Sequence, residues 1–197
     1  DYTGFIKYGG FNDYRGGGRF SGRVTVGLVM AGAVAKKLLN HVGIEVLAHT
    51  VQIDDVKASA ISVEDVINDN VYGNPLRCAD AEAAKEMLQA IGKAGKEGDS
   101  VGGVIEGIAL NVPVGLGEPY FDTVEGQLAK ALFAIPAVKG VEFGVGFESS
   151  RLKGSENNDP YVMQDGEVKT TTNKSGGILG GMSSGMPIVL RVAIKPT

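Results

Sequence analysis

This sequence predicts an α+β fold in which antiparallel sheet packs against helices. Segments with apolar residues at helical spacing alternate along the chain with segments rich in β-branched residues, so both element types occur throughout. No strand candidate runs into a G-x-G-x-x-G turn that opens a helix, which argues against a dinucleotide-binding parallel sheet. Thirty glycines among 197 residues, without a three-residue period, indicate tight turns and not a collagen-like repeat.

Asp1 to Ser21 is rich in glycine and aromatic residues and lacks a helical period, which predicts loop with short extended pieces. From Val24 to His41, Leu28, Ala31, Ala35 and Leu38 recur at helical spacing; the segment reads as a core helix with Ser21 as N-cap and Gly43 as its end. Ile44 to Ile53 reads as a strand, and Ser62 to Asn68 as a short helix broken by Gly73-Asn74-Pro75. Asp80 is placed to cap a full helix running to about Lys96, with Ala83, Met87, Ala90 and Ile91 on one face. A turn at Gly98-Asp99-Ser100 leads into a long strand, Val101 to Val114. Asp122 and Glu125 match a capping box for a third helix that carries Leu128, Ala131 and Leu132 and stops at Pro136. Val138 to Glu148 reads as strand, the polar stretch Arg151 to Lys169 as a mobile loop, and Pro187 to Ile194 as the final strand.

The length suffices for one large domain or two small ones, and residues 1–197 are read as a single domain. Apolar content of 43% with 21% charged residues fits a soluble globular protein. A net charge of −4 argues against a general nucleic-acid binder, while leaving room for a local basic pocket. The lone cysteine, Cys78, allows no intrachain disulfide and fits a reducing, cytoplasmic location; its thiol is read as structural. The longest apolar run, Val24 to Ala35, is too short to span a bilayer, so no membrane association is expected.

The chemistry concentrates at two places. Near the C-terminal end, Gly176, Gly177, Gly180, Gly181 and Gly185 fall within ten residues, a cluster that calls for positive φ or for backbone passing close to something flat or anionic. Lys195 then stands at the end of the last strand, where its ammonium could meet a phosphate or an electron-rich ring. Near the N-terminal end, Arg15, Arg19 and Arg23 bracket a glycine loop that feeds a helix N-terminus, a setting suited to phosphate and carboxylate. The same YRGGGR stretch could be an RGG-type RNA-binding loop, but the helix after it is too apolar for a disordered tail. His41 and His49 are read as structural, no metal-ligand spacing occurs, and no catalytic residue can be nominated. Anion-binding parts thus stand without an acid–base set.

Several long segments resemble the chorismate synthase family, in the right order and over essentially the whole length. They are RGGGRFSGR from Arg15, AGAVAKKLL from Ala31, RCADAEAA from Arg77, GDSVGGVIEG from Gly98, VPVGLGEPYFD from Val112, IPAVKGVEFGVGFESSRLKGSENND from Ile135, and the terminal stretch from Thr172 to Thr197. The resemblance implies a β-α-β sandwich, with helices packed between mainly antiparallel sheets, and a cytoplasmic homotetramer. It also implies a lyase of the shikimate pathway that makes chorismate from 5-enolpyruvylshikimate 3-phosphate by 1,4-elimination of phosphate and depends on reduced FMN. Carried over by residue, it implies that Arg19 and Ser21 bind FMN and that Ser21 and Arg23 reach the substrate. Gly180 and Lys195-Pro196-Thr197 would line the flavin, and Pro136-Ala137 would touch a flavin held by a neighbouring subunit. Phe20 and Gly22 stand where many members have serine and alanine, so any contact at Phe20 would run through its backbone. Family members carry one histidine in a Gly-Glu-Ser-His-Gly motif and another in Pro-Gly-His-Ala-Asp; Asp1 matches the last residue of the second, which places both histidines outside this stretch. The expectation is a core fragment of a longer chorismate synthase chain, without turnover by itself; the alternative is a non-catalytic folded core or assembly module.

Overall fold

The computed structural model describes residues 2–59, 66 and 71–197. Its strands are β1 (Glu45–Ile53), β2 (Val56–Lys57), β3 (Gly103–Leu110), β4 (Val138–Phe143), β5 (Tyr161–Gln164), β6 (Glu167–Thr170), β7 (Ile178–Leu179), β8 (Met182–Ser183) and β9 (Ile188–Ile194). Five of them form one antiparallel sheet in the order β2-β1-β3-β9-β4, while β5-β6 and β7-β8 are separate hairpins. The helices are α1 (Tyr2–Lys7), α2 (Val26–His41), α3 (Ala81–Lys96), α4 (Val124–Leu132) and α5 (Gly154–Asn157). The α+β class and the antiparallel pairing are therefore as the sequence predicts. The short helix expected over Ser62 to Asn68 lies outside the described residues, apart from Val66, which is buried.

Residues opposed in register share a face, so the sheet divides its chemistry cleanly. On one face Ile108, with Leu47 and Leu110, meets Val66, Val71 and Ala79. The same face carries a row across four strands, His49 opposite Glu106, Glu106 opposite Arg191, and Arg191 opposite Glu142. In that row His49 Nε2 lies 3.2 Å from Glu106 Oε1, and Arg191 Nε approaches Glu142 Oε1 to 2.8 Å as an ion pair. On the other face Ile188, with Ala109 and Phe143, packs with Val112, Ile178 and the α4 residues Val124 and Leu128. A third cluster joins α3 to the sheet edge through Met87, Ala83, Ala84 and Cys78. Burial there pushes the Cys78 thiol up, as suits a structural residue.

The segment before Ser21 is not all loop: α1 forms because Gly4 lets the Phe20 ring pack against it, a β-carbon there falling 3.0 Å from Phe20 Cε2. This tertiary contact substitutes for an apolar period. Strand β4 stops at Phe143, since Gly144 turns with φ of 55° and the chain continues as a 3-10 turn, Gly146–Arg151. The capping residue of α4 is Thr123, whose Oγ1 accepts from Gly126 N at 3.1 Å; Asp122 instead accepts from the Gln127 side chain. Arg151 to Lys169 is not a mobile loop, because it holds α5 and the β5-β6 hairpin. Asp159 explains the order there: it accepts from Thr172 Oγ1 at 2.6 Å and from the N–H groups of Lys174 and Ser175 at 2.8 Å each. Burial pushes its carboxyl up, but these bonds outweigh that and leave it below the ordinary value.

Helix α2 is the largest departure. It was predicted to be core, yet it has no buried residue, and Val26, Leu28, Val29, Met30, Val34 and Leu38 are all exposed. A helix apolar on every side is a buried helix. The accessible surface of 13218 Å² compares with about 8900 Å² for a folded monomer of this mass. Much of this surface is therefore suited to contact with further protein.

Asp80 caps α3 as predicted, its Oδ1 accepting from Glu82 N and Ala83 N at 3.0 Å each and its Oδ2 from Ser59 N at 3.0 Å. Bonds from Ala83 and Ser59 hold its carboxyl down at about 2, against 3.8 ordinarily. A depressed folded-state value means the stabilisation is present above the ordinary value and is lost as pH falls through the folded one. Replacing Asp80→Ala should cost about 1 kcal/mol at neutral pH. Urea denaturation of both proteins should show that gap narrowing steadily as pH drops from 4 towards 2.

Candidate functional site

The predicted site residues fall into three patches. The first is the N-terminal segment, where Ser21 Oγ accepts from Arg23 N at 3.2 Å and so caps a 3-10 turn, Gly22–Thr25, that leads into α2. Ser21 thus caps the turn ahead of the helix and not α2 itself. Arg19 and Arg23 are exposed and form no ion pair among the described residues, so both guanidinium groups are open to an anion. Arg15 is not open, because it forks onto Asp13 at 3.0 Å through both Nε and Nη2. That pairing lowers the Asp13 carboxyl and raises the Arg15 guanidinium. A cleft of about 600 Å³ lies here, lined by Tyr8, Phe11, Tyr14, Phe20, Arg19 and the glycines before it. Its aromatic wall was not foreseen, although the aromatic content of this segment was visible.

The second patch is the corner where β9 ends and β4 begins. Lys195 N donates to Ala137 O at 2.9 Å, so Ala137 and Lys195 meet directly, with Pro136 next to Ala137 along the chain. Ala137 adopts φ of 70°, a left-handed conformation costly for a residue with a β-carbon, of the kind held in place at functional sites. Lys195 Nζ donates to Pro196 O at 2.9 Å, and Thr197 is fastened by Ser100, whose Oγ accepts from Thr197 N at 3.1 Å and donates to Thr197 O at 2.6 Å. Ser100 was missed as a supporting residue; its only signal is its place in the Gly98-Asp99-Ser100 turn.

The third patch is the glycine turn. Its glycines share positive φ but serve different ends. At Gly176 a β-carbon would fall 2.3 Å from Gly144 N and 2.7 Å from Val189 O, so bare backbone is needed for packing inside the fold. At Gly180, the exposed tip of the β7-β8 hairpin, a β-carbon would meet nothing nearer than Met182 Cε at 3.9 Å. There the space is open to a ligand. Val124 N donates to Gly181 O at 2.9 Å, which ties this tip to the start of α4. Pro136 follows the other end of α4, and nine helical residues span about 13 Å.

The second and third patches therefore lie at opposite ends of α4, and no hydrogen bond or ion pair among the described residues joins either to Arg19, Ser21 or Arg23. The parts suit a flavin mononucleotide: free guanidinium groups for its phosphate, an aromatic-walled cleft, and a bare hairpin tip against which a flat ring could lie. Neither histidine joins them. His49 is buried beside Glu106, and His41 is at the exposed end of α2.

Two glycine substitutions separate fold from site. Gly180→Ala should cost only about 1 kcal/mol, the strain of a left-handed residue. Gly176→Ala, facing backbone on two sides, should cost several times as much, and thermal melting of the two variants would show the difference.

Comparison with known proteins bears on these patches together. A profile of the chorismate synthase family matches residues 1–197. Chorismate synthase of Dehalococcoides mccartyi (strain 195) is 59% identical over 197 residues, covering 100% of this chain and 54% of that protein. The chorismate synthases of Korarchaeum cryptofilum and Pyrococcus abyssi are 54% and 53% identical, again over 100% of this chain and 54% of theirs. A crystal structure of chorismate synthase matches with a TM-score of 0.90 at 35% identity, covering 100% of this chain and 62% of that one. The chain spans about half the length of the curated relatives it matches. Profile, identity and fold agree over every residue that carries the three patches, and on that ground the chain belongs to the chorismate synthase family.

Proposed function

We propose that these residues are the anion- and flavin-holding part of a chorismate synthase whose longer chain converts 5-enolpyruvylshikimate 3-phosphate to chorismate in the cytoplasm. The observation that carries this reading is the pair of unpaired guanidinium groups, Arg19 and Arg23, at a capped turn beside an aromatic-walled cleft, in a chain that matches the family throughout. The reaction breaks a C–O bond, whose electron pair leaves with phosphate, and removes a ring proton, whose C–H electron pair becomes the new double bond of the diene, so there is no net oxidation. Arg19 and Ser21 would hold FMN, with Gly180, Lys195, Pro196 and Thr197 along it and Pro136-Ala137 approaching from a neighbouring subunit of a homotetramer. When bound, reduced FMN supplies electron density to the substrate ring as phosphate departs.

The chain's own residues have electrostatic and positioning roles. Arg23 and Ser21 hold the substrate, and guanidinium groups fixed where charge develops stabilise the departing phosphate. Two of the three patches lie about 13 Å apart, at the two ends of α4, and the rest of the site is assigned to the rest of the longer chain or to neighbouring copies. Proton transfer is assigned to the two family histidines that the resemblance places outside this stretch, with His49 buried beside Glu106 and His41 at the exposed end of α2. The 197-residue stretch by itself is accordingly inactive. The exposed α2 and surplus surface favour a second role for it, as a folded assembly core.

Chorismate formation under anaerobic, reducing conditions tests this. The longer chain with reduced FMN and substrate should turn over, and the 197-residue stretch should not. Arg23→Ala in the longer chain should lower kcat/KM by about 10²–10³-fold. Turnover by the stretch alone would contradict the assignment of proton transfer, whereas an inactive longer chain would remove the proposed reaction.

A further inference from the structure

Among the described residues the β5-β6 hairpin pairs with no other strand. Its base is rigid: Asp159, 7% exposed, takes three hydrogen bonds, and Thr171 N donates to Pro160 O at 2.9 Å across the neck. Its two-residue turn, Asp165-Gly166, has φ of 53° and 83°, as a tight hairpin requires. Tyr161, Met163 and Val168 lie on one face and are 59%, 70% and 60% exposed. A two-stranded hairpin is marginal alone in water, and an unprotected edge invites pairing.

The register states which edge is available. In a hairpin with a two-residue turn the pair beside the turn exchanges both hydrogen bonds, so Gln164–Glu167 and Val162–Lys169 are the bonded pairs. Met163 and Val168 are then opposed without bonding, and the Val168 N–H and C=O face away from β5. No third strand pairs with β6 among the described residues; β6 has neither proline nor bulge, and what guards its edge is its four-residue length and the charges of Glu167 and Lys169. On either side of Val168 stand Glu167 and Lys169, of opposite sign and on one face, ion-paired to each other at 3.1 Å within the chain, a pair that two cross-strand pairs would replace. A two-fold axis through Val168 would set Glu167 opposite the second copy's Lys169, and Lys169 opposite the second copy's Glu167. The strand is thus charge-complementary to itself when antiparallel.

We propose that β6 pairs edge to edge with β6 of a second copy of this chain about a two-fold axis at Val168. The product is a four-stranded sheet with a continuous apolar face of Tyr161, Met163 and Val168 from both copies. Such an interface is isologous, the commonest kind in homo-oligomers. The inference deepens the homo-oligomer proposed above and does not depend on the reaction; association and turnover are therefore measured separately, so that either can fail alone.

The test is sedimentation equilibrium of the longer chain. Glu167→Lys and Lys169→Glu each place like charges opposite one another at both cross-strand pairs, and each should raise the dissociation constant of this interface about tenfold or more. An equimolar mixture of the two variants restores opposite charges across the axis and should associate like wild type, which repair within one chain cannot explain. Val168→Pro removes the outward N–H, sparing the β5-β6 bonds, and should give the same loss with chorismate formation measured alongside. Far-UV circular dichroism checks that each variant is folded. Wild-type association of all three variants, or a mixture no better than its components, would overturn the pairing; the first of these would mean that the remainder of the longer chain covers the hairpin.

Discussion

Strand β9 is hydrogen-bonded along both edges, to β3 and β4, and its two ends place every proposed site residue outside the N-terminal segment. Where it enters the sheet, Gly176 is pressed between Gly144 and Val189, which fixes the hairpin that raises Gly180. Where it leaves, the bond from Lys195 N to Ala137 O turns the chain and aims the lysine. A shift of this strand would move both patches at once. The contacts of Ser183 and Thr197 add independent restraint, since Ser183 Oγ donates to Pro113 O and accepts from Leu116 N while Ser100 holds Thr197.

The sequence was most legible where one local rule decided the outcome. Asp80 at the start of α3, Gly43 after α2 and the apolar run of β9 appear within a residue or so of where they were expected. The corrections arise where distant residues decide. Asp159 orders a polar segment through Thr172, Lys174 and Ser175, partners more than ten positions away that no local reading could supply. Phe20 makes a helix of a segment without apolar period by packing on Gly4. The glycine cluster was recognised as special, but its division into packing positions and an open tip depends on what each backbone faces.

The site was legible in its chemical types and not in its arrangement. Arg19, Arg23, Gly180 and Lys195 were singled out together, yet within one chain they occupy separate patches. The bare flanks of α2 have the same origin. A helix with Val26, Leu28, Val29, Met30, Val34 and Leu38 distributed around it has no solvent face, so its sequence describes an environment of protein on all sides. Both facts concern surfaces that this chain leaves open among its described residues.

The row of imidazole, carboxylate, guanidinium and carboxylate across β1, β3, β9 and β4 discriminates between strand registers. Side chains alternate between faces, so a slip by one residue in any of these strands would thrust its ionisable group among the aliphatic residues beneath α4 and leave the neighbours without counter-charges. Wrong alignments are thereby penalised relative to the observed one. The hydrophobic layers favour collapse in many registers; this polar seam selects one.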